Sequence, residues 1–152
     1  MGEGMDVGTG SEFAAAAAAA TVGGEQPQTA RRRLLVVEDD RALRAMLARY
    51  LGSVGFDVTT AGEPEEAAAL LEHRPFDALL TDLGLTGLDR SEGFDVLRRA
   101  RYRNETLRIV VLTGSPSEEM RDACLREGAD LFLAKPQPLG RVREALQGIG
   151  SA

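Results

Sequence analysis

Several residue types are scarce in this chain, and each scarcity excludes a class of protein. One cysteine, Cys124, cannot form an internal disulfide and indicates a reducing compartment. No apolar run approaches the ~20 residues that a membrane span requires. Lysine also occurs once, at Lys135, while every other basic residue is arginine. The sequence therefore predicts a cytoplasmic protein without membrane insertion, in which the lone ammonium group calls for a chemical reason.

The charge is unevenly distributed along the 152 residues. Residues 1–30 contain acidic but no basic side chains, whereas the rest holds 18 basic and 20 acidic ones. A nearly balanced domain lacks the cationic surface of a nucleic-acid binder, so we expect no direct nucleic-acid partner. Residues 1–30 are also rich in glycine and carry seven consecutive alanines, 14–20. They predict a disordered tail, part of it vector-encoded, before a single domain over residues 31–150.

From residue 34 onward, short apolar runs alternate with stretches of helical periodicity. Five strand–helix units in succession are typical of an α/β fold with a parallel sheet. Several runs are apolar at successive positions, as expected where helices cover both faces of the sheet. The five runs are residues 34–37, 56–60, 77–81, 108–112 and 130–134.

Residues at the element boundaries agree with this alternation. Asp40 is placed to cap the first helix, and Pro64 to begin the second. Pro116 and the acidic residues 118–119 are predicted in the first turn of the fourth helix. Gly128 is expected to end that helix.

Polar residues follow the strands where each strand ends. In chain order they are Glu38, Asp39, Asp40, Asp82, Thr113 and Lys135. The carboxyl ends of parallel strands meet at one edge of a sheet, where ligands bind. Like charges about 5 Å apart cost roughly 3 kcal/mol per pair at an effective dielectric near 20. A divalent cation would offset that cost, and a set of carboxylates favours Mg²⁺ over Zn²⁺. Taken alone, Asp40 is better explained as a helix cap, and Asp82 could cap the turn into Gly84.

Four segments in order carry a family resemblance. They are LLVVEDD (34–40), LLTDLGL (79–85), VLTG (111–114) and GADLFLAKP (128–136). Over residues 32–149 the chain resembles the response-regulator receiver domains of two-component signalling. The resemblance implies a flavodoxin-like (βα)5 fold, a doubly wound parallel sheet in the strand order 2-1-3-4-5.

The resemblance assigns roles to the acidic residues. Asp82 would be the phosphoacceptor, a carboxylate nucleophile that forms an aspartyl phosphate. Mg²⁺, with Mn²⁺ as a substitute, would be bound by Asp39, Asp82 and the backbone carbonyl of Gly84. Glu38 would act on the metal through a bound water.

The remaining matched positions concern charge neutralisation and switching. By the resemblance, Lys135 neutralises the transferred phosphoryl group and Thr113 bonds its oxygens. Thr113 and the aromatic Phe132 would form the switch that alters the surface of the fourth helix, fifth strand and fifth helix. The resemblance also implies a cis peptide between Lys135 and Pro136.

The implied function is phosphoryl signalling rather than enzymatic turnover. A sensor histidine kinase or a histidine phosphotransfer protein would donate the phosphoryl group, and a downstream protein would be the target. The protein would assist its own phosphorylation and dephosphorylation. Because the sequence ends at Ala152, it also suggests a stand-alone receiver, with a homodimer left open.

Two alternatives remain at this point. One is an adaptor that keeps the fold without being phosphorylated. The other is a phosphohydrolase of the haloacid-dehalogenase class, which carries Asp-x-Asp where this chain has Asp82-Leu83-Gly84. The chain departs from the receiver pattern at residues 85–87, LTG in place of Leu-Pro-Gly, and in a loop lengthened over residues 88–93.

Two single-copy residues fall outside this pattern. His73 is expected to be a surface residue at the end of the second helix rather than a phosphotransfer site. Cys124 is expected to be a small buried residue and not a nucleophile.

Overall fold

The structure, a computed structural model, describes residues 31–83 and 90–148, with only the backbone at 90 and 91. The tail 1–30 and Gly84, with the roles predicted for them, lie outside these ranges. The strands are β1 Arg32–Val37, β2 Phe56–Ala61, β3 Ala78–Thr81, β4 Arg108–Thr113 and β5 Leu131–Ala134. The helices are α1 Arg41–Ser53, α2 Pro64–His73, α3 Arg90–Arg103, α4 Glu118–Arg126 and α5 Leu139–Gln147. No helix in the described part combines the length and apolarity needed to cross a membrane.

The five strands form one parallel sheet in the order β2-β1-β3-β4-β5, which confirms the predicted fold. Side chains on one face pack beneath α2, α3 and α4, and those on the other beneath α1 and α5. Within β1, Leu35 and Val37 pack on the side of α2, α3 and α4, whereas Leu34 and Val36 pack on the side of α1 and α5. All four are almost wholly buried, which explains why β1 is apolar at successive positions.

Local side-chain chemistry sets several helix ends. The Asp40 carboxylate accepts a hydrogen bond of 3.0 Å from the backbone N–H of Leu43, which confirms the predicted cap of α1. Pro64 is the first residue of α2, where its missing N–H costs no helical hydrogen bond. Gly128, just after α4, has a φ of 115°, a conformation that side chains other than glycine rarely adopt.

The start of α4 corrects one prediction. Ser117 caps the helix, because its hydroxyl accepts a 3.0 Å hydrogen bond from the N–H of Met120. The helix therefore begins at Glu118, and Pro116 lies before the cap rather than in the first turn. The acidic residues 118–119 do occupy the first turn, where they favour the helix dipole.

The start of α3 corrects another. The helix begins at Arg90, so the loop predicted over 88–93 is helical from residue 90 onward. Gly93 allows this close approach, since a Cβ there would lie 3.0 Å from the Cα and 3.1 Å from the carbonyl oxygen of Leu83. The first turn of α3 thus packs directly on the backbone that follows Asp82.

A partly exposed polar network secures the start of β5. The Asp130 carboxylate accepts hydrogen bonds from the backbone N–H of Ile109, at 2.7 Å, and from the Arg101 guanidinium, at 3.1 Å. Arg101 also donates to the carbonyl oxygen of Gly128 at 2.6 Å. These contacts join α3 to the turn before β5 and hold β5 in register with β4. The register decides where Lys135, one residue past β5, is placed.

Cys124 on α4 is fully buried in the layer beneath α2, α3 and α4. Burial raises the pKa of its thiol from the ordinary value of 9.0 to about 11. Since two pKa units are about a hundredfold in thiolate, we expect native Cys124 to react with iodoacetamide at pH 8 at least about a hundredfold more slowly than in urea. Intact mass over time gives both rates, because the chain has no other cysteine. Equal native and denatured rates would contradict the buried placement.

Candidate functional site

Strand pairing continues one residue beyond the strands and positions the polar residues there. The backbone N–H of Asp82 donates to the carbonyl oxygen of Val37 at 3.2 Å, and that of Lys135 to Thr113 at 2.7 Å. Glu38 is held in the same way against β2. The carboxyl ends of β1, β3 and β5 therefore bring side chains that are distant in sequence to one edge of the sheet.

Three carboxylates meet at this edge. Glu38, Asp39 and Asp82 each offer one oxygen, and these atoms all lie within 4.8 Å of one another. Glu38 is 3% and Asp82 8% exposed, whereas Asp39 is exposed. Charges this close repel by roughly 3 kcal/mol per pair at an effective dielectric near 20. An all-oxygen donor set that needs positive charge fits Mg²⁺, so the residues present suit the predicted metal.

Lys135 bridges two of these carboxylates. Its Nζ lies 2.8 Å from Oδ2 of Asp82 and 2.9 Å from Oε1 of Glu38. Burial lowers the pKa of Lys135, but the hydrogen bonds and charges of the two carboxylates outweigh burial and raise it above its ordinary value. Lys135 therefore stays protonated and supplies one positive charge among three acidic groups.

Glu38 is oriented by both of its carboxylate oxygens. Oε1 accepts from Lys135, and Oε2 accepts from the backbone N–H of Asp40 at 3.0 Å. Burial raises the pKa of Glu38, and these hydrogen bonds reduce that rise without cancelling it. Glu38 is thus held in one orientation, but its buried negative charge is not fully compensated. A further positive charge nearby would stabilise the carboxylate.

The remaining predicted residues lie on β4, on β5 and just after β5. Thr113, at the end of β4, is buried and its hydroxyl accepts a 3.2 Å hydrogen bond from the N–H of Ser115. Phe132 is half-buried and pairs with Val111 in the sheet. The peptide between Lys135 and Pro136 is cis. Thr113 ends β4, whereas Phe132 lies within β5 and packs against the core, and their switching roles stay predictions.

Sequence reasoning missed Arg44. Its guanidinium donates to the backbone carbonyl of Glu38 at 2.8 Å and lines, with Asp39, a cavity of about 420 Å³. Gly62 leaves it room, because a Cβ there would lie 2.8 Å from the Arg44 guanidinium. The sequence does not reveal this role for an arginine in the first turn of a helix, because the residues that it contacts, Glu38 and Gly62, lie at the ends of β1 and β2.

Sequence reasoning also missed the hydroxyl of Thr81, the residue before Asp82. Thr81 is 1% exposed and pairs in register with the buried Val37 and Val111. Its Oγ1 has no hydrogen-bond partner within residues 31–83 and 90–148. A buried hydroxyl without a partner costs about 1–3 kcal/mol.

We therefore expect Thr81→Val to raise the free energy of unfolding by about 1 kcal/mol, measured in urea. Valine has nearly the same shape and removes the unpaired group. Thr113→Val is the matched control, because that hydroxyl ends the neighbouring strand and does have a partner. The control is expected to be neutral or destabilising. Equal effects of the two substitutions would contradict the unpaired state of Thr81.

His73 lies elsewhere, as predicted. It is the last residue of α2 and lines a different cavity, at the edge of the sheet where the strands begin. The acidic cluster lies where the strands end. No chemistry at the cluster involves the imidazole.

Comparison with known proteins adds to this geometry. A family profile described as the response regulator receiver domain matches residues 34–147. Response regulator MprA of Mycobacterium leprae is 38% identical over 114 residues, which cover 72% of this chain and 49% of that protein. The chain thus spans about half the length of this relative, and the expectation of a stand-alone protein stays a prediction.

Two solved structures are similar in fold. One is a response regulator from Burkholderia pseudomallei with a phosphorylated aspartic acid, a calcium ion and citrate. It is 32% identical, has a TM-score of 0.70, and covers 76% of this chain and 66% of its own. The other is the receiver domain of a sensor histidine kinase from Pseudomonas aeruginosa with a magnesium ion in its active-site cleft. It is 29% identical and has a TM-score of 0.67, and the match covers 78% of this chain and 97% of that receiver domain.

Proposed function

Because this chain belongs to the family of response regulator receiver domains, we propose that its Asp82 accepts a phosphoryl group from a histidine kinase or a histidine phosphotransfer protein. The family is a phosphoacceptor signalling domain and not in general an enzyme. One observation carries the assignment to Asp82. Asp82 is buried at the end of β3, the middle strand of the sheet, and lies 2.8 Å from the Lys135 ammonium; Glu38 shares the burial and the lysine contact but follows β1 rather than the middle strand.

The proposed transfer follows from the positions of these groups. A carboxylate oxygen of Asp82 attacks the phosphorus, the bond from phosphorus to the donor's imidazole nitrogen breaks, and its electron pair stays on that nitrogen. With a proton on the other ring nitrogen of the donor's phosphohistidine, the products are an aspartyl phosphate and a neutral histidine. Lys135 stays protonated and balances the charge of the incoming oxygens, while the Thr113 hydroxyl donates to one of them.

Mg²⁺, when bound, supplies positive charge to the carboxylates and to the phosphoryl oxygens. Asp39 and Asp82 would hold it, with Glu38 acting through water and Gly84 through its carbonyl. Support comes from the oxygens within 4.8 Å of one another and from the magnesium ion in the Pseudomonas aeruginosa relative. Mn²⁺ has similar preferences and would substitute.

The proposed output is a change in the surface formed by α4, β5 and α5. Bonding of Thr113 to the phosphoryl group would withdraw its hydroxyl from the N–H of Ser115, to which it is now joined. Phe132, half-buried on the adjacent strand, would then adjust its packing. A downstream protein would distinguish the two states of this surface. Attack of water on the aspartyl phosphate, at the same residues, would end the signal.

The direct test is incubation with acetyl phosphate, followed by intact-mass measurement. We expect one added phosphoryl group per chain with Mg²⁺ and none with EDTA. Absence of labelling under any metal condition would instead support a phosphorylation-independent adaptor. Repeated turnover of a phosphate ester would support the hydrolase.

The metal part of the proposal has its own prediction. Saturating Mg²⁺ should stabilise the wild-type chain, by about 2.7 kcal/mol at a hundred times the dissociation constant. Asp39→Asn should lose most of this stabilisation, because it removes a charged ligand. Asp40→Asn is the matched control: its side chain caps α1, and asparagine caps equally well. Thermal unfolding with and without Mg²⁺ measures all three, and equal losses in both variants would contradict the assignment of Asp39.

A further inference from the structure

Another cavity, of about 280 Å³, opens between the ends of α2 and α3, at the edge of the sheet opposite the acidic cluster. We name it the α2–α3 cleft. Its apolar floor includes Leu71, Phe76 and Leu107, all buried. Two exposed arginines, Arg74 and Arg103, stand on its rim. An apolar pocket with a few converging polar groups is the usual form of a small-molecule site.

Arg74 contacts an aromatic ring and makes no ion pair within the described ranges. Its guanidinium lies over the ring of Phe76, 5.7 Å from the ring centroid. Within the described ranges it makes no hydrogen bond and no salt bridge, so its N–H groups remain available. A guanidinium over an aromatic ring gains a cation–π attraction, and its planar fork of donors suits carboxylate and phosphonate groups.

Arg103 approaches the cleft from α3. One of its nitrogens, Nη2, donates to the backbone carbonyl of Glu72 at 2.8 Å, which anchors the side chain across the mouth. No carboxylate within the described ranges neutralises it. Five other arginines of the described chain do have acidic partners, in the pairs Arg33–Asp77, Arg98–Glu127, Arg99–Asp95, Arg101–Asp130 and Arg121–Asp122. Like several other described arginines, Arg74 and Arg103 lack an acidic partner, and together they make the rim of this cleft positive in a chain of net charge −6.

The wall of the cleft is preformed. The Asn104 side chain donates to the carbonyl oxygen of Phe76 at 3.3 Å and accepts from the N–H of Thr106 at 2.9 Å. These bonds fix the segment between α3 and β4 against the segment that precedes β3. A ligand would therefore lose little affinity to ordering the wall.

We propose that the α2–α3 cleft binds a small organic anion, with an aromatic body on the floor of Phe76, Leu71 and Leu107 and its acidic group between Arg74 and Arg103. The site is separate from the acidic cluster, since one follows the ends of the strands and the other precedes their starts. The inference does not depend on phosphorylation of Asp82.

The test is titration of the ¹⁵N-labelled full chain with phenylphosphonate in EDTA. The phosphorus–carbon bond prevents this probe from acting as a phosphoryl donor. We expect saturable amide shifts in residues 71–76 and 100–107. Arg74→Gln combined with Arg103→Gln should weaken binding at least about tenfold. Arg99→Gln, an exposed substitution on the same helix, should leave affinity unchanged.

Two comparisons keep the test decisive. Benzyl alcohol, which has the ring without the charge, should bind at least about tenfold more weakly than phenylphosphonate. Arg74→Lys keeps a positive charge but loses the planar fork, and should fall between wild type and the double variant. Equal affinity for both probes, unchanged affinity in the double variant, or shifts confined to Asp82 and its neighbours would each overturn the proposal. Labelling of Asp82 by acetyl phosphate should be normal in the double variant, so failure here and failure of the proposed function are distinguishable.

Discussion

Replacing Asp82 with Asn is expected to abolish phosphorylation by acetyl phosphate, to below roughly 1% of the wild-type labelling, because the amide is not a nucleophile toward phosphorus. Asparagine is close to aspartate in size, so the buried position after β3 stays filled. The 2.8 Å contact with Lys135 can be kept through the amide oxygen. Loss of labelling would therefore report lost chemistry rather than lost structure. Intact mass gives the labelling, and thermal unfolding checks the fold.

Asp57→Asn is the matched control for this experiment. Asp57 is an exposed residue near the start of β2, at the opposite end of the strand from the acidic cluster, and its substitution should leave labelling unchanged. Peptide mapping after trapping the acyl phosphate with hydroxylamine identifies the labelled residue. A label that persists in the Asp82→Asn variant and maps to Glu38 or Asp39 would falsify the assignment of the phosphoacceptor.

Lys135→Arg should slow phosphorylation by roughly a hundredfold, although it conserves charge. A single ammonium nitrogen makes both contacts, at 2.8 Å to Asp82 and 2.9 Å to Glu38. A guanidinium spreads its charge over a larger planar group and directs its donors along a fork. It cannot place one nitrogen between the two carboxylates without moving them, and Glu38 is almost fully buried. The initial rate of labelling with acetyl phosphate and Mg²⁺ measures the loss.

The reverse exchange at a surface position is the control. Arg98→Lys also conserves charge, at an exposed ion pair with Glu127, and should label at the wild-type rate. If Lys135→Arg also labels at that rate, the scarcity of lysine has no chemical meaning and any cation at this position suffices.

Much of the sheet could be predicted from sequence, because buried parallel strands appear as short apolar runs. The apolar run 34–37 coincides with the buried part of β1, and the strand extends back only to Arg32. Arg32 and Arg33 escaped prediction because their side chains are exposed at the start of the strand and carry no apolar signal. The cap of α1 at Asp40 was equally local, since a side chain and an N–H three residues later suffice to form it.

Other features escaped prediction because they depend on residues far apart in the chain. The early start of α3 depends on Gly93 meeting the backbone of Leu83, and no periodicity records that contact. The unpaired hydroxyl of Thr81 is a property of its neighbours on two other strands. In the α2–α3 cleft, Arg74 and Arg103 are nearly thirty residues apart in sequence and share one cavity.

The sequence by itself determined the alternation of strands and helices, and with it the edge where the acidic residues and the lone lysine had to gather. Strand and helix periodicity depends on residues that are close in sequence, so it can be recognised one segment at a time. Only the tertiary structure decided that Lys135 bridges Asp82 and Glu38 rather than facing solvent. That contact requires β5 to be in register beside β4, which Arg101 and Asp130 secure from another part of the chain. Distances between strand ends are set by packing, and packing is a property of the whole domain.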